Sequence, residues 1–258
     1  MKKIALITGA TAGIGSSFAR LLAKKDYDLV LVARDETRLQ EFAKRLSSEY
    51  SIDCEVLRAD LSVAEQVALV ETRLIDSARP IEVLINNAGF ALKESFLKSA
   101  IAAEQEHFDV LVRTPMRLMH AVLPEMKSRD SGVIINVSSV ASWLTGGSYS
   151  AAKSYLTVLS ESLHSELRGT TVKVMALCPG FTHTEFHQRA KMRMGGLPEF
   201  MWLKSDEVVE KAWNDASAGK AISIPGRQYQ ILSTLARFLP RPLIRNFGTT
   251  IRRKQRGK

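Results

Sequence analysis

The sequence has 258 residues, 45% of them hydrophobic and 24% charged, which is enough for one large α/β domain or two small ones and excludes a disordered chain. Lys and Arg number 36 against 27 Asp and Glu, giving a formal net charge of +9. Nine basic residues and no acidic residue lie between Arg227 and Lys258. Removing these nine from 36 leaves 27 basic residues, equal to the acidic count, so residues 1–226 are electrically balanced. The charge balance therefore disfavours nucleic-acid binding by residues 1–226.

The two cysteines, Cys54 and Cys178, are too few for a disulfide framework, so we expect a reducing compartment. The apolar run at the N-terminus stops at Thr8-Gly9, which is too short for the core of a signal peptide. No run approaches the roughly 18 apolar residues of a membrane span. These features predict a soluble, cytoplasmic protein.

Short apolar runs alternate along the chain with longer segments of helical periodicity. The predicted strands are Ile4–Ile7, Leu29–Val32, Cys54–Leu57, Val83–Ile85, Val133–Val137, Val172–Leu177 and Ala221–Ile224. The predicted helices are Ile14–Lys25, Glu36–Ser48, Val63–Ser77, Ala100–Arg129, Ser150–Leu167 and Asp206–Ser217. Strands rich in Val, Ile and Leu without strict alternation are typical of a parallel sheet covered on both faces. The alternation predicts one doubly wound α/β domain in residues 1–226, with residues 227–258 as a basic extension.

The first predicted strand leads into a turn in which Gly9, Gly13 and Gly15 have the spacing Gly-x-x-x-Gly-x-Gly. Glycines at a strand-to-helix turn let the backbone approach a pyrophosphate, whose charge the helix N-terminus stabilises. Such a pattern alone also fits a tight turn without a ligand. The second strand follows within about thirty residues, which favours a dinucleotide site.

The second predicted strand ends at Ala33-Arg34-Asp35. In dinucleotide-binding folds, a carboxylate at the strand end binds the ribose 2′-hydroxyl, whereas an Arg nearby accommodates a 2′-phosphate. Ala33 at the strand end and Arg34 after it predict NADP. The alternative is that Arg34 is a solvated charge and that Asp35 only caps the next helix.

Tyr149 and Lys153 are four residues apart and so share one face of a predicted helix. A tyrosine hydroxyl with a pKa near 10 is a poor acid–base group at neutral pH unless a cation such as Lys153 lowers that pKa. By itself, this spacing usually indicates an ordinary amphipathic pair.

Six motifs in order resemble the short-chain dehydrogenase/reductase family: Thr8-Gly9 to Gly15, Asp60-Leu61, Asn86-Asn87-Ala88-Gly89, Ser139, Tyr149-x-x-x-Lys153 and Pro179-Gly180. The resemblance covers about residues 4–226. It implies a Rossmann fold and an NADP-dependent oxidoreductase acting on CH–OH and C=O groups. It also implies a homo-oligomer formed through the helices after the fourth and fifth strands.

The resemblance implies three catalytic residues. Tyr149 would protonate the carbonyl oxygen, Ser139 would hydrogen-bond that oxygen, and Lys153 would also hold the nicotinamide ribose. The cofactor-binding residues expected in this sequence are Gly9, Thr11, Gly13, Ile14, Gly15, Arg34, Asp60, Leu61, Asn87, Ala88, Gly89, Tyr149, Lys153, Pro179, Gly180, Thr182 and Thr184.

Two features depart from the family's pattern. Leu111 stands where many members carry an Asn that anchors a water relay to the lysine, and the loop from Ser139 to Tyr149 is a few residues short. We expect NADPH-dependent reduction of a hydrophobic ketone or 3-oxoacyl-type carbonyl. The alternative is a catalytically weak NADP-binding regulatory or scaffold protein of the same fold.

The segment from about 181 to 204 contains methionines and aromatic residues that suit a lid over an apolar substrate, which would place the enzyme in lipid metabolism. Simple packing on the core is an equal alternative. His183 and His187 are four residues apart, but Glu185 is not adjacent to His183 as in a zincin helix, so we expect no metal.

In the basic extension, the segment Gln228–Leu239 has apolar residues at helical spacing: Ile231, Leu232, Leu235, Phe238 and Leu239. A basic amphipathic helix can contact an anionic membrane surface. It can also pack against the body or a partner subunit, which we favour, and the residues after Arg252 can be disordered. Nucleic acid is the least favoured partner.

Overall fold

The computed structural model describes residues 2–186, 198–240 and 242–245. Seven strands form one parallel sheet in the order β3-β2-β1-β4-β5-β6-β7. They are β1 Ile4–Thr8, β2 Asp28–Ala33, β3 Cys54–Arg58, β4 Ile81–Asn86, β5 Val133–Val137, β6 Lys173–Leu177 and β7 Ile222–Ser223. The predicted doubly wound α/β fold is confirmed, and each predicted strand end lies within two residues of the observed one.

Every residue of β1 and β4 is buried, because helices cover both faces of the sheet. One apolar layer includes Leu6 and Leu118, and the other includes Ile7 and Phe18. This explains why the strand sequences are continuously apolar. The chain leaves β1 toward β2 on one side and returns at β4 on the other. Such a reversal opens a crevice at the carboxyl ends of these strands, where ligands of doubly wound folds bind.

The helices match the predicted segments to within three residues at each end. They are α1 Gly13–Lys24, α2 Glu36–Tyr50, α3 Ala64–Leu74, α4 Ile101–Phe108, α5 Thr114–Ser128, α6 Ser148–Glu166 and α7 Ser205–Ser217. In the described parts of the chain, none of the helices is long and apolar enough to cross a membrane.

The predicted helix Ala100–Arg129 forms without a break, but it is not a regular α-helix throughout. Between α4 and α5, the residues Asp109–Arg113 form a π-helical turn. A one-turn π segment barely changes the apolar periodicity, so the sequence pattern did not reveal it. Such turns are rare and often lie at functional sites.

The basic extension begins with a final helix, α8, Arg227–Phe238. It packs against the body, but through Tyr229 and Ser233 rather than through the apolar residues at helical spacing. The Tyr229 hydroxyl accepts the Phe181 N–H at 3.0 Å and donates to the Met201 backbone oxygen at 2.5 Å. Predictions about the chain end beyond residue 245 lie outside the described residues.

Candidate active site

The glycine-rich turn connects β1 to α1. Gly9 has a φ of +64°, and a Cβ placed on Gly15 would lie only 2.3 Å from the Gly9 backbone oxygen, so glycine is required at both positions. The helix begins after Ala12, whose methyl side chain cannot cap it. The first backbone N–H groups of α1 are therefore free of a side-chain cap and suit a phosphate.

The loop after β4 is fastened to this turn by Asn87 and Thr8. The Asn87 side-chain amide donates to the backbone oxygens of Thr8 and Gly9, at 2.9 and 3.1 Å. The Thr8 hydroxyl accepts the backbone N–H groups of Asn87 and Ala88, at 2.9 and 3.0 Å. The predicted residues of the two motifs thus meet at the crevice.

Tyr149 lies in the first turn of α6, and Ser139 follows the end of β5. Burial raises the pKa of Tyr149 to about 12, although the Ser139 side chain, within hydrogen-bonding reach, opposes the shift. The phenol therefore carries its proton at neutral pH and can donate it. This differs from the expectation that Lys153 lowers the Tyr149 pKa, because desolvation is the largest effect on this phenol.

Lys153 is one turn further along α6 and is buried. Its Nζ donates to the Val137 backbone oxygen at 2.7 Å and lies 5.8 Å from the centroid of the Tyr149 ring. Burial lowers the pKa of Lys153 to about 8. Ser139, Tyr149 and Lys153 are thus brought together at the carboxyl edge of the sheet, as the motifs predict.

Three rings that the motifs did not indicate surround this centre. His107 is buried, with its ring centroid 5.4 Å from that of Phe90 and 6.3 Å from that of Tyr149. The Phe186 ring lies 5.8 Å from the Tyr149 ring. His107 could have been found from its position four residues before Leu111, since such neighbours share a helix face.

Leu111 lies inside the π turn and is buried. It lines a small cavity together with Lys153, Asn86 and Thr8. The cavity offers about 10 Å³ to the centre of a water molecule, which is just enough for one water. The polar groups around that space come from residues other than Leu111.

Arg34 follows β2, and its side chain is 64% exposed. Its guanidinium lies 3.9 Å from Asp60 and 3.7 Å from Glu106, which are long, exposed ion pairs of little energetic weight. Asp35 caps α2 by accepting the Arg38 N–H at 3.0 Å. The capping alternative for Asp35 is thus confirmed, and the Arg34 side chain stays accessible to an anion.

Asp60 is fixed beside this cation. Burial acts to raise its pKa, but hydrogen bonds from the backbone N–H and hydroxyl of Ser62, with the charge of Arg34, hold the pKa below its usual value. Leu61 next to it accepts the Thr114 hydroxyl at 2.7 Å through its backbone oxygen. This predicted motif therefore lies at the crevice, tied to the start of α5.

The segment after β6 runs back toward the site. The Pro179 backbone oxygen accepts the Val140 N–H at 3.1 Å, next to Ser139. Thr184 touches the glycine-rich turn, since a Cβ on Gly13 would lie 2.9 Å from the Thr184 side chain. The segment after β6 therefore lies beside both the Ser139 region and the glycine-rich turn.

The lid predicted at about 181–204 is described except for residues 187–197. Its two described parts pair with each other, because the Leu203 N–H donates to Phe181 and the His183 N–H donates to Leu203. The His183 imidazole lies 3.3 Å from Glu199 and stacks on Trp202. His187, the second histidine of the pair, lies outside the described residues.

Comparison with known proteins identifies the family. A family model described as short chain dehydrogenase matches residues 3–194, about three quarters of the chain. The chain belongs to the short chain dehydrogenase family. The motifs from the glycine-rich turn to Pro179-Gly180 therefore lie in a short-chain dehydrogenase, and the predicted Rossmann fold is that of this family.

Relatives of known structure and function resemble this short-chain dehydrogenase over most of its length. A short-chain dehydrogenase from Sphingobium yanoikuyae, solved in complex with NADPH, is 33% identical with a TM-score of 0.84, and the match covers 91% of this chain and 93% of that one. A bulky-bulky ketone specific alcohol dehydrogenase from Comamonas testosteroni is 29% identical with a TM-score of 0.78, covering 92% and 95%. An NADP-dependent 3-hydroxy acid dehydrogenase from Salmonella typhi is 36% identical, covering 71% and 74%.

The crevice of this short-chain dehydrogenase fits a dinucleotide. The uncapped N-terminus of α1 suits the pyrophosphate, and the exposed Arg34 suits an anionic group on the ribose. Of the remaining predicted contacts, Thr11 belongs to the glycine-rich turn and Ile14 to the first turn of α1. Gly89 belongs to the loop after β4 and Thr182 to the segment after β6. A Cβ placed on Gly89 would lie 3.7 Å from Lys153 Nζ.

Proposed function

We propose that this dehydrogenase uses NADPH to reduce a hydrophobic ketone or 3-oxoacyl-type carbonyl, and that it oxidises the alcohol in the reverse direction. The observation that carries the proposal is the meeting of Ser139, Tyr149 and Lys153 beside the glycine-rich turn. A tyrosine and a serine hydroxyl within reach of each other can hold one carbonyl oxygen between them.

The first backbone N–H groups of α1 and the Arg34 guanidinium would hold NADPH, which would supply a hydride to the carbonyl carbon. Tyr149 holds the proton that the carbonyl oxygen needs, and its pKa of about 12 keeps that proton in place at neutral pH. The Ser139 hydroxyl orients the same oxygen. The phenol carries this proton before the substrate binds, as donation to the carbonyl oxygen requires.

Two observations support NADP as the cofactor. Arg34 leaves its guanidinium exposed at the end of β2, where a 2′-phosphate lies in folds of this kind. The relatives from Sphingobium and Salmonella are named for NADPH and NADP.

The hydrophobic substrate is supported by the walls of the site. The Phe186 ring lies 5.8 Å from the Tyr149 ring, and Phe90 packs on His107, which lies next to Tyr149. Apolar walls with a few polar groups are typical of small-molecule sites. The Comamonas relative is named for bulky ketones, which supports a ketone substrate.

The test is NADPH oxidation by the full chain against a panel of ketones and 3-oxoacyl thioesters. Tyr149→Phe should lower kcat by at least about a hundredfold. Tyr155→Phe, on the same helix but 38% exposed, is the matched control and should keep wild-type activity. Arg34→Ala should raise KM for NADPH while leaving KM for NADH unchanged.

Equal activity of the Tyr149 and Tyr155 variants would contradict the mechanism. NADPH binding without turnover of any carbonyl would instead favour the alternative of a regulatory or scaffold protein, which Leu111 and the short loop from Ser139 to Tyr149 suggest.

We further propose a cytoplasmic homo-oligomer. Phe108 and Met116 around the π turn, and Val158 on α6, are exposed apolar residues on the helices expected to form the subunit contact. Sedimentation velocity of the full chain tests the assembly, and a monomer at all concentrations would contradict it.

A further inference from the structure

The outer face of α8 is apolar and exposed. Ile231 is 61% exposed, Leu235 is 51% exposed and Phe238 is 83% exposed. With Leu232 and Leu239, which are also exposed, they fall within an arc of roughly 120° around the helix axis. Contact with the body uses the opposite side of the helix. We call these five residues the α8 face.

Basic residues dominate the sequence on and after α8. From Arg227 to the end of the chain the sequence has nine Lys and Arg and no acidic residue. The described members include Arg227, which is exposed, and Arg237, whose guanidinium lies 4.4 Å from the centre of the Trp143 ring. An apolar helix face in a strongly basic segment matches a surface with negative charge above a hydrocarbon layer.

We propose that the α8 face is a docking site for an anionic lipid membrane surface. Apolar side chains of α8 enter the boundary between headgroups and acyl chains, and the basic residues contact the lipid phosphates. The helix lies parallel to the membrane plane, because it has only twelve residues and one side of it is held by the body.

The positive charge of this segment also argues against two other partners for the α8 face. A second copy of this chain, docked symmetrically, would bring one basic extension against another and so place like charges together. The chain's own last residues, 246–258, carry five basic residues and only Phe247 and Ile251 as large apolar residues, so they supply little apolar cover.

The position of α8 connects this surface to the active site. Tyr229 on its inner side bonds to Phe181 in the segment after β6, and Arg237 stacks on Trp143 just after Ser139. Membrane docking would therefore bring the catalytic crevice close to lipid. If the proposed function holds, the enzyme takes its apolar carbonyl substrate from the membrane. The docking itself does not depend on catalysis.

The test is co-sedimentation of the full chain with vesicles of phosphatidylcholine alone, or of phosphatidylcholine mixed with an equal amount of phosphatidylglycerol. Wild type should bind the mixed vesicles, should not bind the neutral ones, and should dissociate as salt is raised. The double variant Leu235→Ser/Phe238→Ser should lower binding at least about tenfold, since two large apolar side chains are lost.

The matched control is Phe96→Ser/Leu97→Ser, which also changes one exposed Phe and one exposed Leu, but before α4. It should bind the vesicles as wild type does. Both variants should keep the wild-type melting temperature, which separates loss of docking from loss of folding.

Three results would overturn the docking site: no binding of wild type to mixed vesicles, equal binding to both kinds of vesicle, or wild-type binding by the α8 variant. If lipid-free sedimentation shows that the α8 variant loses only self-association, the face is a subunit contact and the proposal also fails. A wild type that docks but turns over no carbonyl would contradict the proposed function alone.

Discussion

At the scale of single residues, the buried Lys153 makes the free energy of unfolding depend on pH. Its ordinary pKa of 10.5 falls to about 8 in the folded chain because burial disfavours the ammonium form. Below pH 8 both the folded and the unfolded chain carry this proton, so the folded protein bears the whole desolvation cost, about 3 kcal/mol. Between about pH 8 and 10.5 the unfolded chain binds more protons than the folded chain does. The desolvation cost therefore disappears, and the free energy of unfolding increases, as pH rises through this range.

Lys153→Met keeps most of the length of the side chain and removes the charge. We expect the variant to be more stable than wild type at pH 7 by about 1–3 kcal/mol, which is less than the full desolvation cost because the hydrogen bond to Val137 is lost as well. The difference should shrink toward zero near pH 10. Urea unfolding of the cofactor-free proteins at both pH values measures it, and a difference that does not change with pH would contradict the burial of a charged lysine.

Leu111 is the second residue of interest, because the resemblance to the family implies an Asn at this position. The small cavity beside Lys153 already has space for one water and polar groups from Thr8 and Asn86. An amide at position 111 is therefore not needed to hold that water.

We expect Leu111→Asn to change kcat by less than about threefold and to lower the free energy of unfolding by about 1–3 kcal/mol, since an amide replaces a buried apolar side chain. Leu111→Met, which conserves volume, should cost less than about 1.5 kcal/mol. Steady-state kinetics and urea unfolding give both quantities. A large gain in kcat for the Asn variant would show that leucine impairs the native relay.

At the scale of elements, α8 is joined to the body by close contact between Tyr229 and Gly180. A Cβ placed on Gly180 would lie 2.0 Å from the nearest atom of the Tyr229 ring. The ring cannot yield alone, because its hydroxyl is bonded to Phe181 and Met201. Glycine at position 180 is thus what allows the helix to approach the segment after β6.

Gly180→Ala should push the ring away, loosen α8 and lower the free energy of unfolding by about 2–4 kcal/mol, through overpacking and the loss of hydrogen bonds. Gly89→Ala is the matched control, because its Cβ would meet neighbours at an ordinary 3.7 Å. Urea unfolding compares the two. A similar loss in both variants would show that the contact with Tyr229 is not what requires glycine.

At the scale of the whole molecule, the sheet and most helix ends could be predicted from the sequence, because apolar runs without alternation occur in strands covered on both faces. The motif residues could be placed at one edge because parallel strands end together. The π turn could not be predicted, since it leaves the periodicity of apolar residues almost intact. The raised pKa of Tyr149 and the rings of Phe90 and Phe186 depend on tertiary burial, which spacing along the chain does not express.

The α8 helix shows the same distinction. Its helical spacing was visible in the sequence, but the spacing could not indicate which side meets the body. The contact is made by Tyr229, because a phenol can both fill the space above Gly180 and satisfy two backbone groups. The more apolar side is left facing outward.

The segment after β6 also touches the far side of the crevice. Arg38 of α2 forms a two-bonded ion pair with Glu185, at 2.6 and 3.2 Å, and Thr184 rests against Gly13. We predict that a dinucleotide bound against the glycine-rich turn leaves more slowly while these contacts hold. Since both partners of the ion pair are partly exposed, it contributes about 0–1 kcal/mol and weakens with ionic strength. The turnover rate of this enzyme would then depend on the salt concentration of its surroundings.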